Sequence, residues 1–289
     1  MRRATIAGLT VELCGCAQWL HADKLARFPA QEEQASMRIT VEETEALTPP
    51  EGDTLGQAGA AVWKRGADGM TVLARRDQRV QVRFDADFSD VTIRLERGGA
   101  HADVHRYRYV MQAIGYRLLT QGGALLHSAG LSIRGIGVAL SGRSGVGKST
   151  LATLLCEADP TVAVLCEDAP AVCTTADGIE LCGTPFCGDD ERCENAHVPL
   201  RALVFLKQGN GNRLSPMAPR DALQALLENI VRPYYQDAVS AQAVDLALAW
   251  IGRIPMFEFE NDGTPSAAEA LLAALAENGV TEKGVKGDL

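Results

Sequence analysis

No apolar run in this 289-residue chain approaches the roughly 18 residues that a membrane-spanning helix needs, so no membrane partner is expected. An excess of basic residues is missing too. Lys and Arg number 28 against 37 Asp and Glu, a formal net charge of −9, and the pI is about 5.1. That balance argues against wholesale nucleic-acid binding, which requires a basic surface. A clean secretory signal is also lacking. Glu12 interrupts the apolar stretch after Met1-Arg2-Arg3 and no small-residue cleavage site follows, so residues 5–13 read as a strand and the protein as cytoplasmic. In that setting the eight cysteines are expected as thiols rather than as a disulfide framework. Cys182, Cys187, Cys193 and His197 lie near one another in sequence, but the close C-x2-4-C pair of most zinc sites is absent. Reduced thiols in or near a core are expected instead. There is no internal repeat and no motif that selects a particular nucleobase.

What is present is ordinary globular material, 46% hydrophobic and 22% charged. Residues 1–100 read as a small β-rich N-terminal domain with an antiparallel sheet. Short β-branched runs at 5–13, 38–41, 71–74, 80–84 and 91–95 are separated by turn signals such as Pro49-Pro50-Glu51-Gly52. Over 101–122, Val104, Tyr107, Val110, Met111, Ile114 and Leu118 recur at helical steps and predict a bridging helix. From 123 to 280 strands and helices alternate, the pattern of an α/β domain. Strands are expected at 124–127, 131–133, 137–141, 162–165, 202–206 and 256–260, with a hairpin over 171–181. Helices are expected from 148 to about 157, over 219–230, 239–251 and 266–277. The polar tail 281–289 is expected to fray.

Between the strand ending near Ser141 and the helix starting near Lys148 stands Gly142-Arg143-Ser144-Gly145-Val146-Gly147-Lys148-Ser149, followed by Thr150. It matches G-x-x-x-x-G-K-[ST] at every defining position. Glycines let the backbone wrap so that successive N–H groups point at phosphate oxygens, and the following helix adds its positive end. Lys148 then reaches the β- and γ-phosphates, and Ser149 offers its hydroxyl to Mg²⁺. Residues 142–150 are the expected nucleotide-binding segment. The next strand ends in Glu167-Asp168. Carboxylates suit Mg²⁺, and a second acid beside the first suits proton removal from an attacking hydroxyl.

Four segments together resemble the catalytic domain of HPr kinase/phosphorylase and its HPr-kinase-like serine kinase relatives, which share a P-loop core with phosphoenolpyruvate carboxykinases. They are Leu126-His127-Ser128-Ala129-Gly130, GVALSGRSGVGKST over 137–150, Leu165-Cys166-Glu167-Asp168, and Gly183-Thr184-Pro185-Phe186-Cys187-Gly188. The resemblance implies an ATP- and Mg²⁺-dependent kinase acting on a hydroxyl, with catalytic positions at Glu167, Asp168, His127 and Lys148. Ser149 and Asp168 would contact the metal, and His127 would stand beside the γ-phosphate. True HPr kinases carry two aspartates where this chain has Glu167-Asp168, and the glycine-rich signature of the reverse reaction is missing here. The expected acceptor is therefore a peptide, protein or small-molecule hydroxyl other than HPr, a ribosomally made peptide among them. A homo-oligomer is compatible with the sequence. The competing readings are a carboxykinase-like enzyme and a non-catalytic nucleotide-binding regulator. The polar loop Gly183–Pro199, with Asp189, Asp190, Glu191, Arg192 and Glu194, is a candidate lid or acceptor segment. Its Arg192 is a candidate cation for the transferred group, ahead of Arg213 and Arg232.

Overall fold

A computed structural model describes residues 1–15, 22–75, 77, 79–98, 102–188, 191–233 and 237–280. The tail from Thr281, Cys16, Asp189 and Asp190 lie outside the described residues. The chain divides into two compact units, Met1–Gly122 with Val231–Gln242, and Gly123–Ile230 with the chain from Ala243 onward.

The first unit contains β1 (Arg2–Ile6), β2 (Leu9–Cys14), α1 (Ala22–Ala26), β3 (Met37–Thr44), β4 (Asp53–Ala58), β5 (Ala61–Arg65), β6 (Thr71–Arg75), β7 (Val80–Phe84), β8 (Asp90–Glu96) and α2 (Ala102–Leu119). Its eight-stranded sheet has the order β1-β2-β3-β8-β7-β6-β5-β4. Two expectations are corrected here. Residues 5–13 are not one strand, because Ala7 and Gly8 take φ of 50° and 83° and fold them into a hairpin that pairs Ile6 with Leu9. Nor is the sheet wholly antiparallel, since β3 runs parallel to both β2 and β8. Helix α2 follows the expected span closely. It meets β8 and β3, and its Tyr116 closes an aromatic cluster with Phe84 and Phe88, at ring-centroid distances of 5.7 and 5.5 Å.

Glu12 is buried in this sheet, its carboxylate gripped by Arg3 at 2.9 Å and Arg38 at 3.0 Å. The Arg3 hydrogen bond, with Arg38 adding to it, outweighs burial and holds this carboxyl below the usual glutamate range. A depressed folded-state value stabilises the fold above the unfolded-state value of about 4.3, and that contribution disappears as the pH falls through the folded value. Urea midpoints measured from about pH 6 down to about pH 3 should therefore fall more steeply for the native chain than for Glu12→Gln. Parallel acid limbs would show that the pair contributes nothing.

The second unit continues with β9 (Gly123–Leu125), β10 (Ser128–Ile133), β11 (Ile136–Ser141), α3 (Lys148–Ala158), β12 (Val162–Cys166), β13 (Ala171–Thr175), β14 (Gly178–Cys182), β15 (His197–Gln208), β16 (Arg213–Pro216), α4 (Pro219–Asn229), the part of α5 (Asp237–Ile251) from Ala243 onward, β17 (Met256–Asn261) and α6 (Pro265–Glu277). The nine strands form one mixed sheet organised around β15. The first residues of β15 pair with β14, while its later residues run parallel to β11 on one side and β17 on the other. β15 therefore joins the β9–β13–β14 layer to the strands that carry the glycine-rich loop. Buried hydrophobic side chains from β10, β11, β12, β15, α3 and α6, with Phe257 and Phe259 of β17, form one core. Among the described residues no helix is long and apolar enough to cross a membrane.

Candidate active site

Strand β11 is buried along its whole length and delivers the chain into the loop at Gly142. Gly147, immediately before α3, has φ of 101°, a left-handed conformation that a side chain would strain. The loop thus turns sharply enough to aim the first turn of α3 back across its own mouth. Lys148 opens that helix and is buried. Its ammonium has three donors and uses all of them. Nζ lies 3.0 Å from the Gly142 carbonyl, 3.3 Å from that of Arg143 and 3.1 Å from His127 Nε2. Burial pushes the Lys148 amine below its ordinary range, and the nearby Asp168 carboxylate pulls it partly back.

Because an ammonium can only donate, His127 Nε2 must accept, which places the proton of the neutral ring on Nδ1. Nδ1 lies 3.2 Å from Asp168 Oδ1. The result is a continuous chain, Lys148 to His127 to Asp168. Its backbone is pinned as well. His127 N donates to Asn229 O at 2.8 Å, Ser141 Oγ donates to His127 O at 3.0 Å, and Ser128 N donates to Asp168 O at 3.1 Å. His127 thus sits at a fixed point between β9 and β10, beside the end of β12.

The adjacent acids face different surroundings, as side chains at a strand end do. Asp168 is about a third exposed and turned toward His127. Glu167 is buried and pairs with Arg192, whose Nη2 also reaches Thr153 Oγ1 on α3 at 2.9 Å. Arg192 arrives there because the backbone of its neighbour Cys193 pairs antiparallel with that of Cys166 at the end of β12. The candidate phosphoryl-contacting cation is therefore engaged with an acid and a helix hydroxyl. Arg213 lies on β16, and Arg232 belongs to the first unit.

The segment 183–188 braces the acids. Thr184 is fully buried, and its hydroxyl donates to Ala169 O at 2.7 Å. Ala169 N donates to Phe186 O at 3.0 Å. A side chain at Gly183 would strike the Glu194 carbonyl at 1.9 Å, so only glycine fits. Of the expected lid segment, residues 184–187 are buried in the fold rather than exposed. Cys182, Cys187 and Cys193 are buried as thiols. Burial pushes the Cys166 thiol up to about 11.

One cavity of about 550 Å³ is lined by His127, Ser144, Gly145, Gly147, Lys148, Ser149, Thr150, Glu167, Asp168, Cys187 and Gly188. Gly142, Arg143 and Val146 line a neighbouring cavity on the other side of the loop. Residues far apart in sequence thus converge on one polar space that holds a lysine, a helix N-terminus, a hydroxyl and a carboxylate. Such a space offers positive charge to an anion and an acceptor to a hydroxyl proton. The partnership of Arg192 with Glu167 and Thr153 has no sequence signal, because the partners lie on different elements.

No family model and no curated protein matches this sequence. Among solved structures, it is similar to the Hpr(Ser) kinase/phosphatase from Coxiella burnetii, at 13% identity over 53% of this chain and 97% of that one, with a TM-score of 0.31. At that distance, function has to be read from the residues of the site.

Proposed function

We propose that this chain is an ATP- and Mg²⁺-dependent kinase that transfers the γ-phosphoryl group to a hydroxyl, a serine of a peptide or protein or the hydroxyl of a small molecule. The observation that supports this most strongly is the Lys148–His127–Asp168 chain, which opens onto the same cavity as Ser149 and the glycine-rich loop. A loop of this sequence binds phosphates through its N–H groups, and Lys148 meets the β- and γ-oxygens. The donor set fits Mg²⁺. Ser149 and Asp168 are hard oxygen ligands, and among the described residues no cluster of three or more His, Cys, Asp or Glu could cage a metal by itself. Mg²⁺ normally keeps water and phosphate oxygens among its ligands and takes only one or two from protein. When bound, it neutralises charge that builds up across the β- and γ-phosphates.

Asp168 carries the base role. Both acids line the cavity, but Glu167 is buried and held by Arg192, whereas Asp168 is about a third exposed and oriented by His127 Nδ1–H. The acceptor oxygen forms a bond to the γ-phosphorus as the bond from phosphorus to the β–γ bridging oxygen breaks. The hydroxyl proton passes to Asp168, and ADP departs with the electron pair. Lys148 would exchange one of its three present partners for a phosphate oxygen and so meet the developing charge.

Incubation with ATP labelled at the γ-position and a pool of peptides, proteins and small hydroxyl compounds tests this reading. Label should appear as a phosphomonoester with the native chain. It should fall about 10²-fold or more with Lys148→Ala, whose folding is checked by thermal melting. Tight ATP binding with no turnover on any acceptor would leave a nucleotide-binding regulator and remove the kinase.

A further inference from the structure

A second cavity, of about 340 Å³, adjoins the candidate active site and shares Gly145, Gly147 and Thr150 with it. We infer that this cavity is the nucleoside subsite, and that Asn261 reads the base there as adenine. The inference rests on the kinase reading above and extends it to the other end of the nucleotide.

The direction follows from the loop. Lys148 and Ser149, which meet the β- and γ-phosphates, line the first cavity and not the second. Thr150 and the glycines border both. A nucleotide whose terminal phosphates lie beside Lys148 therefore leaves the loop across Thr150 and enters the second space. Its volume is at the lower end of the roughly 300–1,000 Å³ typical of small-ligand sites. One wall is apolar, made by Val146, Leu151 and Leu154, and suits the face of a base. On the opposite rim, Asp262 brings negative charge, which disfavours a phosphate and so favours the uncharged part of the nucleotide. The third cavity beside the loop also has apolar lining, from Phe205, Leu206 and Met217, but it sets the charges of Arg143, Lys207, Glu228 and Glu258 among them, which suit a base less well.

Asn261 supplies the reading group. It is only 4% exposed, yet it lines the second cavity at the end of β17. Its Nδ2 donates to the Lys207 carbonyl at 3.3 Å. A carbonyl requires a donor, so the amide nitrogen is committed there and the amide oxygen is left to accept from a ligand. Adenine presents its amino group as a donor on this edge, where hypoxanthine and guanine present a carbonyl oxygen. The surrounding turn is preformed. Asp262 N donates to Asn212 Oδ1 at 3.1 Å, and Asp262 Oδ1 accepts from Thr264 N at 3.0 Å. Gln208 Nε2 donates to the Gly145 carbonyl at 3.3 Å and ties the subsite to the loop.

Calorimetric titration of the full chain with ATP, ITP and inorganic tripolyphosphate, each with Mg²⁺, tests the subsite. The native chain should bind ATP about ten-fold more tightly than ITP, and both more tightly than tripolyphosphate. Asn261→Leu should erase the preference for ATP over ITP and leave tripolyphosphate binding within about two-fold. Leu154→Trp, which fills the cavity from α3, should weaken ATP about ten-fold with the same indifference to tripolyphosphate, and thermal melting checks that each variant folds. The subsite is overturned if tripolyphosphate binds the native chain as well as ATP does, if neither variant changes ATP binding, or if each variant weakens all three ligands equally. A native chain that binds none of them overturns the kinase reading itself.

Discussion

Asp168→Asn lowers the rate of phosphoryl transfer about 10³-fold at saturating MgATP, while folding changes little. Asparagine matches aspartate in shape, and its carbonyl can still accept from His127 Nδ1–H, so the ring and Lys148 keep their places. Partial exposure of Asp168 means that loss of its charge costs the fold little. What disappears is a basic oxygen at the acceptor side. General bases contribute about 10²–10⁴ in rate, and Glu167 is a poor substitute because it is buried and paired with Arg192. Single-turnover transfer with enzyme in excess over ATP isolates the chemical step. A rate within ten-fold of the native chain would assign Asp168 to a structural role and end its nomination as base.

Arg192→Ala should be the most destabilising change near the site, at about 3 kcal/mol, measured from urea unfolding of the full chain. The mechanism is an uncompensated buried charge. The Glu167 side chain is 3% exposed and Arg192 is its cationic partner, so truncation strands a carboxylate away from water. Arg192 is itself 37% exposed, which keeps the figure at the low end of the roughly 3–5 kcal/mol seen for broken buried pairs. The bond to Thr153 Oγ1 on α3 is lost as well. Adding Glu167→Gln to Arg192→Ala should recover most of the loss, because the stranded charge is then removed. If the double variant is no more stable than the single one, packing rather than charge explains the effect. If the single variant costs less than about 1 kcal/mol, the pair is ornamental.

The loop was legible in the sequence because its geometry is local. Three glycines, a lysine and a hydroxyl residue at fixed spacing, between an apolar strand and a helix, define it without reference to the rest of the chain. The order of His127, the loop and Glu167-Asp168 was legible too, and all three line one cavity. Their division of labour was not. Adjacent acids look equivalent in sequence, and only the arrival of Arg192 from beyond Gly183 separates a buried Glu167 paired with arginine from a more exposed Asp168 paired with His127. The engagement of Arg192 with Glu167 and Thr153 was hidden for the same reason, since a pairing between residues on distant elements leaves no periodic trace. In the first unit, β4 escaped notice because Thr54, Gly56 and Gln57 give it no apolar alternation, although it pairs along its length with β5. The parallel pairing of β2, β3 and β8 was equally hidden. Strand direction in a sheet depends on connections, and alternation of side chains is the same in both senses.

The kinase assignment meets its most direct test in ³¹P NMR of MgATP turning over on the native chain in the presence of its acceptor. The expected spectrum shows the γ-resonance replaced by a phosphomonoester, with one ADP formed for each phosphomonoester and no matching rise in inorganic phosphate. ADP and inorganic phosphate appearing together without the ester, or an ATP spectrum that never changes, would contradict it.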